Sequence, residues 1–128
     1  MSIPYDKKFI RNKSHYSNLY SGASLNSFIH LLNNKGYSFL GTSSTGVNAF
    51  FVKKEHYSIF ESSIEEIKSF PCIARECLDK KGKLTYENLL TSLPKIKDME
   101  VFDFDENRTK KIKDYEKLYT DDWINYFK

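Results

Sequence analysis

Apolar residues recur at helical spacing in the first third of the chain. The residues of this pattern are Leu25, Phe28, Ile29 and Leu32. Positions i, i+3, i+4 and i+7 lie on one face of an α-helix, so the pattern predicts an amphipathic helix here. Gly36 stands where a left-handed residue commonly ends a helix, and Ser21 or Ser24 can provide the N-cap.

The pattern changes after this helix from a period of about four to short apolar runs. Residues 37–40 are aromatic and aliphatic, residues 41–46 are rich in Gly, Ser and Thr, and residues 47–52 are again apolar. This order predicts strand, turn and strand. The second run is too apolar to face water on both sides, so we expect a buried hairpin.

Helix signals dominate our interpretation of the second half. Ser62 with Glu65, and Ser63 with Glu66, have the spacing of a capping box. They predict a helix that Pro71 interrupts and that resumes over residues 72–78.

Three further elements are expected before the end of the sequence. Thr85 is the predicted cap of a short helix that Pro94 ends, and residues 101–104 form a possible strand. Thr120 is the predicted cap of a terminal amphipathic helix. Its apolar residues Trp123 and Phe127, with Ile124, can dock as an anchor.

Composition predicts one folded domain over residues 1–128. The chain is 40% hydrophobic and 16% aromatic, which is enough to form a core. No apolar run approaches the roughly 20 residues that cross a bilayer, so we expect no membrane contact and a cytoplasmic location. The net charge of +3 comes from interspersed charges, so binding to nucleic acid is not expected.

The residue types that carry chemistry form no complete active site in the sequence. There is no glycine-rich phosphate loop, no dinucleotide fingerprint and no Gly-x-Ser-x-Gly elbow. The histidines, His15, His30 and His56, have no metal-like or triad-like neighbours. Cys72 and Cys77 are too few for a zinc site, and we expect neither a disulfide between them nor any bound metal.

One stretch has a distinctive sequence. It contains Ser21, Gly22, Ala23, Ser24 and Leu25, then Lys35, Gly36 and Tyr37, and then Gly46, Val47, Asn48, Ala49, Phe50, Phe51 and Val52. It resembles the C-terminal segment of a bacterial family with an FkbM-like, S-adenosylmethionine-dependent methyltransferase fold. The opening residues 2–6 resemble the loop that precedes this segment, and residues 79–85 resemble a later part of the same family more weakly.

The resemblance implies an α+β fold. Residues 1–55 would be the methyltransferase C-terminal-like segment, with a last crossover helix at 25–34 and an antiparallel hairpin from 37–42 and 47–53. Such a hairpin closes a Rossmann-like sheet. Residues 56–128 would be a helical extension of short helices.

The resemblance also implies which side of the enzyme the chain represents. The family's cofactor-binding elements precede the matching segment, so no cofactor residue is expected here, and S-adenosylmethionine would bind only if the missing half were supplied. The substrate-side candidates are Tyr5, Asp6, Tyr20, Ser24 and Asn48. Asn48 is equally well read as a hydrogen-bonding residue of the turn or strand edge.

Two classes of function therefore remain open. The leading hypothesis is a fragment or remnant of a methyltransferase-like protein that is not catalytic alone. The alternative is a non-catalytic protein-interaction module that uses the hairpin edge or the Trp123 helix. Both hypotheses require that something covers the apolar hairpin, so we expect self-association or a protein partner.

Overall fold

A computed structural model describes residues 1–64 and 66–128 of the chain. The helices are α1 (Arg11–Ser14), α2 (Leu25–Asn34), α3 (Tyr57–Glu61), α4 (Leu89–Ile96) and α5 (Asp121–Asn125), with 3-10 turns at Lys54–His56 and Ile112–Asp114. The strands are β1 (Tyr37–Thr42), β2 (Ala49–Lys53), β3 (Arg75–Leu78), β4 (Leu84–Glu87), β5 (Glu100–Asp103) and β6 (Arg108–Lys111). They pair as three antiparallel hairpins, β1–β2, β3–β4 and β5–β6. This mixture confirms the α+β class.

Helix α2 has the predicted bounds. Ser24, rather than Ser21, is its N-cap, because the Ser24 hydroxyl accepts a hydrogen bond from the backbone N–H of Ser27. Gly36 follows the helix with a φ of +83°, the left-handed conformation that favours glycine.

The predicted hairpin follows α2 directly. Strand β1 pairs with β2 from Tyr37 opposite Lys53 to Thr42 opposite Ala49, with an irregularity between Phe39 and Gly41. Strand β2 begins two residues later than expected, because Val47 and Asn48 belong to the turn. The hairpin is not buried as predicted: Phe50 is 52% exposed.

The prediction of a helix after Ser62 is wrong for the described residues. Helix α3 ends at Glu61, and no helix begins at Ser63. The pairing of Ser62 with Glu65 involves residue 65 and lies outside the described residues. Residues 75–78 form strand β3 instead of a helix, because they pair with β4; within the strand Cys77 is buried, whereas Arg75 and Glu76 are exposed.

The start and end of the next predicted helix are also wrong. Thr85 lies in β4, where its hydroxyl donates to the backbone carbonyl of Cys77. Helix α4 begins after Asn88, whose side chain accepts from the N–H groups of Leu90 and Thr91 and so is the better cap. Pro94 lies inside α4 and does not end it, since the helix buries its face through Ile96. Residues 56–128 therefore contain two hairpins as well as helices.

Two predictions near the end of the sequence are confirmed. The expected strand at 101–104 is β5, shifted by one residue. Thr120 is the N-cap of α5, with its hydroxyl accepting from the N–H of Trp123. The two cysteines are free, as expected, but only Cys77 is buried.

The first and second halves share a core and a backbone connection. The buried cluster consists of Leu19, Cys77, Ile96, Val101 and Ile112. Ser2 forms an antiparallel bridge with Ala23 on one side and with Phe102 of β5 on the other. The opening residues therefore join the loop before α2 to the β5–β6 hairpin.

Candidate functional site

A large open cleft separates the β1–β2 hairpin from the second half of the chain. Its volume is about 920 Å³. Its walls come from the loop before α2, the hairpin turn, residues 70–76, one face of α4 and the terminal helix. The cleft thus gathers residues that are far apart in sequence.

Three of the five predicted substrate-side residues line this cleft, namely Tyr20, Ser24 and Asn48. The Tyr20 hydroxyl donates to the backbone carbonyl of Glu100. Burial, and next the nearby Glu100 carboxylate, raise the pKa of Tyr20. The Ser24 hydroxyl is engaged in capping α2. Both hydroxyls therefore already have structural partners.

Asn48 is exposed at the hairpin turn. Its backbone N–H donates to the Ser43 hydroxyl over 3.2 Å, and its carbonyl accepts from the Ser43 N–H over 2.9 Å. These bonds close the turn, which fits the interpretation of Asn48 as a turn residue.

The other two candidates lie in a second groove of about 560 Å³. Tyr5 is 86% exposed there. The carboxylate of Asp6 accepts from the backbone N–H of Lys8 over 2.8 Å, which stabilises a local turn. Phe102 and Phe104 form the apolar side of this groove. The structure therefore does not bring the five candidates together.

The cleft wall includes Trp123, from the helix predicted as a possible docking element, and Tyr119, which was not predicted as part of a site. The rings of Tyr119 and Trp123 stack with centroids 6.0 Å apart. The Trp123 indole N–H donates to the backbone carbonyl of Ser69 over 3.2 Å. Burial raises the pKa of Tyr119, and the nearby Arg75 opposes that shift. Because Arg75 and Trp123 are 48 positions apart, no local motif could reveal this arrangement.

One histidine and serine pair has the geometry of a base with a nucleophile. His15 Nδ1 lies 2.7 Å from the Ser17 hydroxyl oxygen. However, Ser17 has no exposed surface, and its hydroxyl also accepts from the N–H of Leu19 over 3.2 Å. A substrate cannot reach this oxygen, so the pair stabilises a turn. Within residues 1–64 and 66–128, no group of three or more His, Cys, Asp or Glu side chains could hold a metal ion.

A buried ion pair stabilises the β5–β6 hairpin. Lys110 Nζ lies 2.8 Å from an Asp103 carboxylate oxygen and 3.9 Å from the centre of the Tyr115 ring. The other Asp103 oxygen accepts from the backbone N–H groups of Asp105 and Glu106. Lys110 therefore holds the pKa of Asp103 well below its usual range, while burial raises the pKa of Tyr115 to about 12. Every polar group of Asp103 is engaged within the hairpin, which indicates a structural role.

The outer edge of β2 is different, because most of its backbone groups have no partner among the described residues. Along β2, residues alternately bond to β1 and point away from it. The hydrogen bonds from Lys54 N–H to the Gly36 carbonyl and from Ser43 N–H to the Asn48 carbonyl show which residues point toward β1. In that alternation Phe50 and Val52 bond to β1. The outward-pointing residues are Ala49, Phe51 and Lys53.

The two edges of the hairpin can be compared directly. On the β1 edge, the outward N–H of Thr42 donates to the Lys68 carbonyl over 3.0 Å. On the β2 edge, the N–H and carbonyl groups of Ala49 and Phe51 and the N–H of Lys53 make no hydrogen bond with any described residue outside the hairpin. The Lys53 carbonyl is engaged, because Lys53 is the N-cap of the 3-10 turn at Lys54–His56. The chain thus covers the end of the β1 edge next to the turn, whereas the β2 edge has no such cover among the described residues.

The chain also exposes more surface than its size requires. Its accessible surface is 9099 Å² for a mass of 15.1 kDa. A folded monomer of this mass exposes about 7,100 Å². The excess of about 2,000 Å² is as large as the surface that one partner buries in an extensive protein interface.

Comparison with known proteins adds no assignment. Neither the protein-family models, nor the curated proteins, nor the solved structures contain a match to this chain. Among the described residues, no helix is both long enough and apolar enough to cross a membrane.

Proposed function

We propose that this chain is a non-catalytic interaction module whose β1–β2 hairpin accepts a strand from another polypeptide. The observation that carries the proposal is the open β2 edge, where the backbone groups of Ala49 and Phe51 and the N–H of Lys53 have no partner among the described residues. An added strand would satisfy these groups, which is the basis of recognition by β-augmentation.

The sequence of β2 supports the proposal. Exposed edge strands are usually protected by charged residues, by proline or by a bulge. The centre of β2 consists of Phe50, Phe51 and Val52 and has none of these features. The one irregularity of the hairpin lies on β1. An unprotected apolar edge is a liability in a monomer and an advantage in a module that binds a strand.

A labelled strand peptide tests the proposal. The probe is a fluorescent peptide with the sequence of residues 47–53, and the measurement is its anisotropy as the chain is added. We expect saturable binding to the wild type and at least tenfold weaker binding to Phe51→Pro, which lacks one outward N–H. Ser44→Ala, at an exposed position of the turn, is the matched control and should bind like the wild type. If the wild type does not bind the peptide at a dilution where it is monomeric, the proposal is wrong.

A second candidate is the substrate-side portion of a methyltransferase-like protein. The observation that favours it is the order of α2 (Leu25–Asn34), β1 (Tyr37–Thr42) and β2 (Ala49–Lys53), which agrees closely with the bounds implied by the resemblance. In this interpretation the partner is a cofactor-binding portion with a Rossmann-like sheet, which β2 would join. Tyr20, Ser24 and Asn48 would then line a cleft on the substrate side.

Reconstitution tests the second candidate. The chain is expressed together with a cofactor-binding portion of the resembled family that ends before its last helix, and S-adenosylmethionine is titrated by calorimetry. We expect no binding to this chain alone and saturable binding to the complex. If the two polypeptides do not associate, or if this chain alone binds the cofactor, the second candidate is wrong.

A further inference from the structure

We propose that the strand that occupies the β2 edge is β2 of a second copy of the chain, in a twofold-symmetric antiparallel dimer. This inference rests on the proposed function, because it identifies the partner of the same edge. The resulting sheet would have the strand order β1, β2, β2 and β1.

The hydrogen-bond groups of the edge are self-complementary. The outward residues Ala49, Phe51 and Lys53 are spaced symmetrically about Phe51. With Phe51 on the twofold axis, Phe51 faces Phe51 of the second copy, and each Ala49 faces a Lys53. Residues that face each other as a hydrogen-bonded pair exchange two backbone bonds, so every outward N–H group of both strands gains a partner.

The side chains are also compatible with this register. Phe50 lies opposite Val52 of the second copy at a non-hydrogen-bonded pair, where side chains approach most closely. Lys53 lies opposite the small, neutral Ala49. A register centred on Lys53 would instead place two lysines opposite each other, which is unfavourable. The symmetric register about Phe51 is therefore preferred.

The surface to be covered has the size expected for such a dimer. If each copy buried its excess of about 2,000 Å², the dimer interface would total about 4,000 Å², which is within the range of obligate homodimers. The edge strand alone is short, but Val47, at 63% exposure, and Phe28, at 46% exposure, line the same cleft as Ala49 and Phe51. These side chains widen the apolar surface beside the strand.

The mass of the chain in solution tests the inference. Light scattering should give twice the chain mass of 15.1 kDa for the wild type. Phe51→Lys places two charges at the twofold axis, and Phe51→Pro removes the outward N–H, so both variants should have the mass of a single chain. The matched control is Phe39→Lys. Phe39 forms the other half of the ring pair with Phe51, with centroids 5.3 Å apart, but lies on β1.

The control separates dimerisation from folding. Phe39→Lys disrupts the same aromatic pair, so it should lower stability as Phe51→Lys does but remain a dimer. Circular dichroism verifies that each variant is folded. If Phe39→Lys dissociates as readily as both Phe51 variants, or if the Phe51 variants remain dimeric, the inference is wrong.

Failure of this inference and failure of the proposed function give different results. A monomeric wild type that binds the strand peptide would overturn the second copy as the occupant, while the proposed function would stand. A wild type that neither dimerises nor binds the peptide would overturn both.

Discussion

The substitution Gly46→Ala tests how the hairpin is held against the second half of the chain. Gly46 lies in the β1–β2 turn with a φ of +67°. A Cβ atom at this position would lie 2.3 Å from the carbonyl carbon of Pro71 and 2.5 Å from the backbone nitrogen of Cys72. These are backbone atoms, so they cannot move aside as the end of a flexible side chain could.

The magnitude follows from two costs. An alanine in the left-handed region costs about 1–2 kcal/mol, and overpacking against a fixed neighbour adds about 1–3 kcal/mol. For a chain of this length the entropy of unfolding is about 0.27 kcal/mol/K, so the total of about 2–5 kcal/mol lowers Tm by about 7–18 °C.

Gly22→Ala is the matched control. Gly22 has a φ of +78°, but no atom lies within 4 Å of the position that its Cβ would occupy. The substitution Gly22→Ala therefore has only the conformational cost of an alanine in the left-handed region, and we expect a fall in Tm of about 4–7 °C. The assay is thermal unfolding followed by circular dichroism at one protein concentration. Equal losses for the two variants would refute the close packing of the turn against Pro71.

Four further substitutions test three separate parts of the structure. Ser24→Ala removes the cap of α2 and should lower the free energy of unfolding by about 1 kcal/mol, measured by urea titration. Phe50→Pro removes a hydrogen bond between β1 and β2 and should lower the free energy of unfolding by about 3 kcal/mol. Phe51→Pro removes an N–H that points outward, so it should lower the free energy of unfolding of a monomeric sample much less. Equal losses would show that the two N–H groups do not point in opposite directions. Lys110 binds the Asp103 carboxylate and lowers the pKa of Asp103 in the folded state. The contribution of Asp103 to stability is therefore complete above its unfolded-state pKa near 3.8, and it is lost progressively as the pH falls below that value. Asp103→Asn should therefore lower Tm at pH 7 and have a smaller effect at pH 3, and a loss independent of pH would contradict this role.

The first part of the fold was predictable because its signals are local. The apolar face of α2, its Ser24 cap and Gly36 lie within one short segment, and the turn of the hairpin is bounded by Gly41 and Gly46. Each feature restricts the backbone without help from distant residues. The bounds of α2 could therefore be obtained from the sequence.

Strands β3 and β4 were not predictable for the opposite reason. Each has four residues, and its strand conformation depends on pairing, with Arg75 opposite Glu87 and Leu78 opposite Leu84. In the sequence, Ser62, Ser63 and Thr85 resemble helix caps. Tertiary pairing overrides such weak local preferences.

The candidate site was predicted only in part. Tyr20, Ser24 and Asn48 line the cleft, but Tyr5 extends into solvent elsewhere. The sequence indicated the hairpin edge as a docking element but not which strand is open. Lys68, which accepts from Thr42 at the end of the other edge, has no recognisable sequence pattern around it. The sequence did indicate that the hairpin needs a cover.

Amide hydrogen exchange of β2 tests directly whether the outer edge of this strand is open. The sample is diluted until light scattering gives the mass of a single chain, and the exchange rates of individual amides are then measured. If the edge is open, the outward amides of Ala49, Phe51 and Lys53 exchange rapidly. The amides of Phe50 and Val52, which bond to β1, exchange slowly. If the outward amides of the monomer exchanged as slowly as the inward ones, the chain itself would cover the β2 edge, and the proposal of an open edge would be wrong.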